Sequence, residues 1–252
     1  MQLDLLVAGA RALPVTFKPE CLEAFRIYGE ELIAWNQEFN LTAITDENGV
    51  QIRHFLDSLS CILGMEEANE RLTGKHVIDV GTGAGFPGIP LKIIRPGMRL
   101  TLLEATEKKV HYLRHVVQRL GLEGVTVLHG RAEELGQSPQ HRERYDWAVA
   151  RAVAEMPILA EYLLPLVKVG GRVLAQKGES APAEVQRAEW AITQLGGQMR
   201  RLTQVELLGL AETRYLVLVD KVAVTPPQYP RRSGVPSKHP LMPKVQRPKD
   251  EK

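Results

Sequence analysis

The residues best suited to chemistry lie in a glycine-rich segment at residues 77–88, which reads Val-Ile-Asp-Val-Gly-Thr-Gly-Ala-Gly-Phe-Pro-Gly. An apolar strand runs directly into Gly81, Gly83 and Gly85, and a helix follows. Glycines at such a turn let the backbone bend tightly and approach a ligand without a Cβ in the way. The free N–H groups of the next helix add hydrogen-bond donors. The segment therefore predicts a nucleotide-like ligand at the carboxyl edge of a sheet.

Two residues of this segment narrow the choice of ligand. A dinucleotide fingerprint has its third glycine where this chain has Phe86, whose bulk blocks the approach of a pyrophosphate. Asp79 precedes the loop and would repel an anion held against it. S-adenosylmethionine carries a sulfonium and an ammonium group, so Asp79 favours this ligand over NAD. An NAD-dependent oxidoreductase remains the alternative class of enzyme.

Further candidates follow the next two strands. Glu104 ends the second strand, 19 residues after Gly85, where a carboxylate accepts hydrogen bonds from ribose hydroxyls. After the third strand, the backbone N–H groups of Ala132 and Glu133 are placed to meet an adenine edge. Each feature alone also fits a structural turn or a solvated helix start. Their occurrence at three successive strand ends predicts a nucleoside site.

The groups missing from the fourth strand restrict the chemistry. Its end has no Asp/Asn-Pro-Pro-aromatic motif for an exocyclic amine, and no cysteine nucleophile for pyrimidine carbon 5. It offers Arg151, and the fifth strand ends at Lys177, so the substrate is expected to be anionic or hydrogen-bond accepting. A ring nitrogen such as guanine N7 fits, because its free lone pair needs only alignment with the methyl group. A salt bridge to Glu104, Asp79 or a helix carboxylate is the alternative role for both cations.

Periodicity predicts the elements that position these residues. Residues 18–39 carry a helical apolar stripe, and Asp46 is placed to cap a second helix that contains Val50 and Phe55. The first 70 residues are therefore expected to be helical. Seven strands are predicted after them, with helices between most of them, at residues 76–80, 99–104, 125–129, 146–151, 171–177, 198–205 and 214–222.

This alternation predicts an α/β fold with a mostly parallel sheet covered on both faces, whose last strand runs antiparallel. The expected units are a helical segment at 1–70, a ligand-binding domain at 71–224 and a tail at 225–252. The tail has seven prolines in 28 residues, and seven Lys/Arg against two Asp/Glu. It is predicted to be extended and free of helix, and its charge suggests an anionic partner.

Composition is that of a soluble globular protein: 252 residues, 44% hydrophobic, 25% charged and a net charge of +2. Cys21 and Cys61 belong to no Cys/His cluster, so no metal site is expected. No signal peptide or apolar run long enough to span a bilayer is predicted. These features together favour a cytoplasmic protein.

Several segments together resemble the RsmG (GidB) family of methyltransferases. They lie at residues 39–45, 53–59, 86–90, 151–153, 176–178 and 230–238. The resemblance implies a Rossmann-like class I methyltransferase fold of seven strands. It also implies methyl transfer from S-adenosylmethionine to guanine N7 of a nucleotide in small-subunit (16S) ribosomal RNA, free or in a ribosomal subunit.

The resemblance also implies roles for individual residues. Expected cofactor contacts are Gly81, Phe86, Glu104, Ala105, Thr106, Ala132, Glu133 and Arg151. By the resemblance, Asn40, His54 and Asp57 are expected to face the active cleft, whereas the residues alone favour a cap and turn at Asn40 and a helix-surface pair of His54 and Asp57. Lys177, Arg231, Arg232 and Lys238 are the expected RNA contacts.

Some alternatives stay open at this point. A methyltransferase acting on a small molecule or a protein, or a non-catalytic RNA-binding module, would carry the same nucleoside site. A monomer is expected. Removal of residues 231–252 is expected to weaken RNA binding and to leave cofactor affinity unchanged.

Overall fold

A seven-stranded mixed sheet in the order β3-β2-β1-β4-β5-β7-β6 organises the computed structural model, which describes residues 1–65 and 72–243. The strands are β1 His76–Val80, β2 Arg99–Glu104, β3 Val125–His129, β4 Tyr145–Arg151, β5 Val167–Lys177, β6 Gly197–Val205 and β7 Arg214–Lys221. Strands β1 to β5 pair in parallel, and β7 runs antiparallel between β5 and β6. The predicted fold class, including the antiparallel last strand, is confirmed.

Helices cover both faces of this sheet. In chain order they are α1 Asp4–Ala10, α2 Pro19–Phe39, α3 Glu47–Gly49, a π-helix Val50–Leu56, α4 Asp57–Leu59, α5 Ile62–Met65, α6 Gly88–Ile94, α7 Glu107–Arg119, α8 Ala132–Gln137, α9 Met156–Leu163, a 3₁₀ turn Leu164–Leu166, α10 Ala181–Gln194 and α11 Val235–Lys238. Helices between successive parallel strands leave the carboxyl ends of β1 to β5 at one edge, where loops can form a site.

Alternating side chains along the strands divide the interior into two cores. Val77, Val149 and Leu174 face the core that also contains the N-terminal helices, α6 and α7. Their neighbours Ile78 and Ala148 face the core made with α9 and α10. Since successive strand residues point to opposite faces, near-continuous apolar strands of this kind are expected for a sheet covered on both sides.

The N-terminal helices form as their sequence predicts. The Asp46 side chain accepts a hydrogen bond from Gly49 N at 2.7 Å and caps α3. Val50 and Phe55, in the π-helix, are 0% exposed and pack into the first core. The predicted boundary between residues 70 and 71 lies outside the described residues. Up to Met65, these helices share a core with α6 and α7.

The prediction of a helix-free, extended tail is wrong for its described part. Residues 235–238 form the single turn α11, with Pro236 as its second residue, where the missing N–H has no intrahelical partner to lose. Pro230 and Leu241 are buried, and Arg142 donates hydrogen bonds to the carbonyl oxygens of Thr225 and Tyr229. The tail therefore packs against the body of the protein. Residues 244–252 lie outside the described residues.

Within residues 1–65 and 72–243, no helix is both long and apolar enough to cross a bilayer. The same part of the chain contains no group of three or more His, Cys, Asp or Glu side chains arranged to hold a metal ion.

Candidate active site

Two neighbouring cavities lie at the carboxyl edge of the sheet. The first, here called the β1–β3 cavity, has a volume of about 130 Å³ and is lined by Val80, Gly81, Leu103, Glu104, Ala105, Gly130, Arg131, Ala132, Glu133, Val153 and Tyr162. The second, here called the β4–β5 cavity, has a volume of about 400 Å³ and is lined by Ile44, Arg53, His54, Asp57, Arg151, Ala152, Gln176, Lys177, Gly178, Ser180 and Arg214. Arg151 and Ala152 line the β4–β5 cavity and the next residue, Val153, lines the β1–β3 cavity, so the two cavities adjoin at the end of β4.

The three loop glycines have different physical reasons to be glycine. All three have positive φ angles, of 66° at Gly81, 61° at Gly83 and 104° at Gly85. A Cβ on Gly85 would lie 2.6 Å from the hydroxyl oxygen of Tyr28, so this glycine permits close packing against α2. A Cβ on Gly83 would meet nothing within 4 Å, which leaves open space beside the loop. Gly83 is thus the glycine best placed to admit a ligand.

Glu104 fixes the loop beside the β1–β3 cavity. Its Oε2 accepts a hydrogen bond from Gly83 N at 2.9 Å, and its Oε1 accepts one from Thr106 N at 2.8 Å. Each carboxylate oxygen has a second lone pair, so both oxygens can still accept a hydroxyl proton. The polar edges of an adenosine would meet the Glu104 carboxylate and the peptide groups of Ala132 and Glu133. The open space at Gly83 leaves room for them. The cavity therefore suits the nucleoside part of S-adenosylmethionine.

Asp79 lies beneath the loop and does not face the ligand. Its side chain is 0% exposed, and its Oδ2 accepts hydrogen bonds from Thr82 Oγ1 at 2.6 Å and Gly88 N at 2.7 Å. Burial raises the pKa of Asp79 to about 7, against the lowering effect of these two bonds. The prediction that this carboxylate contacts a cationic ligand directly is not supported, because Asp79 lines neither cavity and bonds to the loop from beneath. Asp79 instead holds the loop in shape.

Phe86 points into the protein, away from the β1–β3 cavity. Its ring is 4% exposed, stacks on His54 at a centroid distance of 4.3 Å and stacks on Tyr28 at 5.3 Å. Tyr28 also donates a hydrogen bond to Ala84 O at 2.6 Å. The expected cofactor contact of Phe86 is therefore restricted to its backbone. Its side chain ties the glycine loop to α2 and to the π-helix.

Arg151 connects β4 to the N-terminal helices. Its Nη1 donates to Asp57 Oδ2 at 2.9 Å and its Nη2 donates to His54 Nδ1 at 3.0 Å, while its guanidinium lies 4.9 Å from the centroid of the Phe86 ring. His54 and Asp57 both line the β4–β5 cavity beside Arg151. The salt-bridge alternative for Arg151 is realised with Asp57, a carboxylate that the sequence did not single out as its partner.

The hydrogen bonds of His54 define its neutral form. Because an arginine has no lone pair to offer, Nδ1 accepts from Arg151, and Nε2–H donates to Thr42 Oγ1 at 2.9 Å. Burial, followed by the charge of Arg151, lowers the pKa of His54 to about 3. His54 is thus uncharged near neutral pH and positions Arg151.

Asn40 is the exposed C-cap of α2 in the left-handed conformation. It does not line either cavity, and its position matches the capping alternative.

Lys177 is already paired. Its Nζ lies 2.7 Å from Glu184 Oε2 in α10 and donates to Ala154 O at 2.8 Å. The side chain is only 10% exposed, so the alternative of a salt bridge to a helix carboxylate is the arrangement observed. Lys177 still lines the β4–β5 cavity, and its charge there is compensated by Glu184.

The tail cations divide into one partly buried residue, Arg231, and two exposed ones. Glu161 is 0% exposed and accepts from Arg231 through both oxygens, with Nη2 at 2.6 Å from Oε2 and Nε at 2.9 Å from Oε1. The expectation that Arg231 contacts RNA phosphate is therefore not supported, since its guanidinium holds the tail on α9. Arg232 and Lys238 are exposed and stay candidates for RNA contact.

Arg53, Gln176 and Arg214 are among the residues lining the β4–β5 cavity that were not predicted as contacts. Arg53 and Gln176 lie inside the motif segments 53–59 and 176–178, and those segments were the available signal. Arg214 begins β7, next to the end of β5, and its position follows from the strand order. No local pattern in the sequence marks it.

The sheet order and the Glu104-lined cavity beside β1 to β3 match the arrangement of class I methyltransferases, which use S-adenosylmethionine. TrmN from Thermus thermophilus has a similar fold, with a TM-score of 0.51 at 20% identity over 66% of this chain and 48% of that chain. The GidB family, described as rRNA small subunit methyltransferase G, matches residues 21–208. The chain belongs to this family.

Two curated relatives agree with this assignment, both named ribosomal RNA small subunit methyltransferase G. The protein of Roseiflexus sp. (strain RS-1) is 50% identical over 239 residues, which cover 95% of this chain and 100% of the relative. The protein of Roseiflexus castenholzii is 51% identical over 240 residues, with the same two shares. The family assignment takes the place of the oxidoreductase alternative.

Proposed function

We propose that this protein transfers a methyl group from S-adenosylmethionine to N7 of a guanine in small-subunit ribosomal RNA. The observation that carries the proposal is the meeting of two cavities at residues 151–153. One cavity offers polar groups that suit an adenosine, and the other, at about 400 Å³, has room for a base. The class of RNA comes from the names of the two relatives, and its assignment to this chain is part of the proposal.

The chain's own residues would hold the reactants and would not exchange protons. S-adenosylmethionine supplies an electrophilic methyl group on a sulfonium. Glu104 and the backbone of Ala132 and Glu133 hold the adenosine beside the loop. Guanine N7 has its own lone pair, so no side chain has to remove a proton before transfer. The neutral His54 agrees with this, because its single free proton is already donated to Thr42.

Charge pairing in the β4–β5 cavity suits a product that gains positive charge. The methylated guanine ring is cationic, and an uncompensated arginine beside it would oppose its formation. Arg151 is paired with Asp57, and Lys177 is paired with Glu184. Each of these two cations therefore has a carboxylate beside it, which reduces its opposition to a cationic product while it positions the substrate.

RNA would approach over exposed cations at the same edge. Arg53 and Arg214 are at the rim of the β4–β5 cavity, with side chains 52% and 23% exposed, and Arg232 and Lys238 are exposed on the tail. Phosphate contacts by such residues position an RNA without reading its sequence. The proposed substrate supports a cytoplasmic site of action.

The test is to incubate the protein with small-subunit RNA, free and in subunits, together with methyl-labelled S-adenosylmethionine, and to map the label. The expected product is a single guanosine methylated at N7. A Glu104→Ala variant should label more slowly at low donor concentration. Label on an exocyclic amine, on protein, on a small molecule or on nothing at all would contradict the proposal.

A further inference from the structure

Two buried acceptors without a hydrogen-bond donor belong to residues that line the β4–β5 cavity. They are Asp57 Oδ1 and Gln176 Oε1, on side chains that are each 3% exposed. An unpaired buried acceptor is costly, because it has lost its water without gaining a partner. Buried polar groups in native proteins are nearly always paired, so two unpaired ones on residues lining a single cavity need an explanation.

The orientation of Gln176 is fixed by its amide nitrogen. Nε2 donates to the backbone oxygen of Asp57 at 2.6 Å and to Ser60 Oγ at 3.1 Å. Ser60 Oγ in turn donates to the same backbone oxygen at 2.7 Å, so it can only accept from Gln176. Both amide protons are therefore used, and Oε1 is left as an acceptor. An incoming partner at this atom has to be a donor.

Only one of the two carboxylate oxygens of Asp57 accepts a hydrogen bond. Its Oδ2 accepts from Arg151, whereas Oδ1 lies 3.3 Å from Arg214 Nε without the geometry of a hydrogen bond. Arg214 begins β7, and its side chain is 23% exposed at the cavity rim. It can therefore turn outward to a phosphate when a nucleotide enters, and this movement would uncover Oδ1.

We propose that Asp57 Oδ1 and Gln176 Oε1 accept the N1–H and N2–H protons of the target guanine and so select this base. The inference rests on the proposed function and deepens it. Guanine presents these two donors side by side on its Watson–Crick edge, whereas adenine presents an acceptor at N1, which a carboxylate repels. Extruded bases are commonly read along this edge.

The same arrangement leaves the reacting atom free. N7 lies on the edge of the purine opposite to N1 and N2. A guanine bound by its Watson–Crick edge to Asp57 and Gln176 directs N7 away from these two residues. The β1–β3 cavity, where the methyl donor is proposed to lie, adjoins the same pocket at residues 151–153.

The experiment compares guanosine with inosine, which keeps N1–H, O6 and N7 but lacks the N2 amine. The guanosine mapped above is replaced by inosine in small-subunit RNA assembled by ligation, and kcat/KM is measured for both substrates. Wild-type protein should prefer guanosine by about 10- to 100-fold, the loss expected when a buried acceptor is left unpaired. At least one of Asp57→Asn and Gln176→Met should reduce this preference to about threefold or less.

The preference is the readout because the absolute rates of both variants also fall when Arg151 and the cavity wall lose contacts. Gln51→Met is the matched control. Gln51 is an equally buried glutamine, but it accepts from Leu6 N and lines neither cavity, so its variant should keep the wild-type preference. Equal rates on guanosine and inosine, or a preference that neither variant changes, would overturn the inference. Absence of transfer to guanosine by wild-type protein would instead remove the proposed function, and the inference with it.

Discussion

At the scale of single residues, Arg151 is the point where the catalytic edge and the N-terminal helices meet. It bonds to Asp57 and His54 and lies over Phe86, which belongs to the glycine loop. A movement of the glycine loop would therefore shift Phe86 and, through it, Arg151, which lines the β4–β5 cavity. This contact makes the N-terminal segment part of the site.

The neutral state of His54 predicts how stability depends on pH. An unfolded histidine takes up a proton near pH 6.5, whereas in the folded protein the pKa of His54 is lowered to about 3. The contribution of neutral His54 to the free energy of unfolding is thus fully present above pH 6.5 and is lost as the pH falls toward 3. By linkage, the loss between pH 7 and pH 5 is about 1–2 kcal/mol.

Urea unfolding of wild-type protein and a His54→Asn variant at both pH values measures this difference. The variant should lose less stability on acidification than wild-type protein does. His111→Gln serves as the control, because the side chain of His111 is 64% exposed on α7. Equal losses in wild type and His54→Asn would show that His54 titrates normally.

Glu104 gives a prediction for cofactor affinity. Its carboxylate holds Gly83 N and Thr106 N and is proposed to accept ribose hydroxyls. Glu104→Ala should weaken S-adenosylmethionine binding by about 1.5–3 kcal/mol, the range for hydrogen bonds to a charged group. Calorimetry measures the affinity, with the exposed Glu107→Ala at the start of α7 as the control. Unchanged affinity in Glu104→Ala would remove this residue from the site.

At the scale of elements, the sequence predicted local features well and distant pairings poorly. Six of the seven strands begin and end within one residue of their predicted bounds, because apolar runs and turn residues are local signals. Strand β5 begins at Val167, four residues early. The Gly170-Gly171 pair resembles a turn, but the strand continues through it beside a register shift in β4.

The residues of the candidate site likewise divide into those that a local pattern predicts and those that depend on distant packing. The glycine loop, Glu104 and the β3 turn were found because each follows its own strand. The partners Asp57 and Arg151 are 94 residues apart, and Glu161 and Arg231 are 70 apart. Such pairs depend on how distant helices pack, which no local pattern specifies. For this reason Arg231 was expected on RNA and lies in an ion pair.

The tail supplies a prediction at this scale. Arg231→Ala leaves Glu161 buried without its partner, which should destabilise the protein by about 3 kcal/mol or more. The adjacent Arg232→Ala removes an exposed charge and should change stability by less than about 0.5 kcal/mol. Thermal unfolding of the two variants gives the comparison. Similar melting temperatures would mean that the tail is not held by this pair.

Docking of the tail also changes the expectation for cofactor binding. Gly234 N donates to Glu133 Oε1 at 2.9 Å, and Glu133 lines the β1–β3 cavity. Removal of residues 231–252 should therefore weaken S-adenosylmethionine binding, by about threefold or more if the freed Glu133 costs one ordinary hydrogen bond. Calorimetry on the truncated and full chains decides the matter. Equal affinities would restore the sequence-based expectation that the tail serves RNA alone.

At the scale of the whole molecule, a net charge of only +2 means that RNA binding depends on where the charges lie. Arg232 and Lys238 are exposed on the tail, which packs beside the β1–β3 cavity through Gly234 and Glu133. Lys168 lies near the amino end of β5, at the opposite edge of the sheet, and pairs with Asp146 at 2.7 Å. Of these three residues, Arg232 and Lys238 are placed to contact RNA bound at the carboxyl edge and Lys168 is not.

Salt dependence separates the two groups of charges. Each phosphate contact adds about 0.7 to the slope of log K against log salt for a single strand. Arg232→Ala and Lys238→Ala should each lower the magnitude of the slope by about this amount, and Lys168→Ala should leave it unchanged. Filter binding of small-subunit RNA over a range of salt concentrations measures the slopes. An equal reduction by Lys168→Ala would mean that RNA responds to overall charge and that no surface is specific for it.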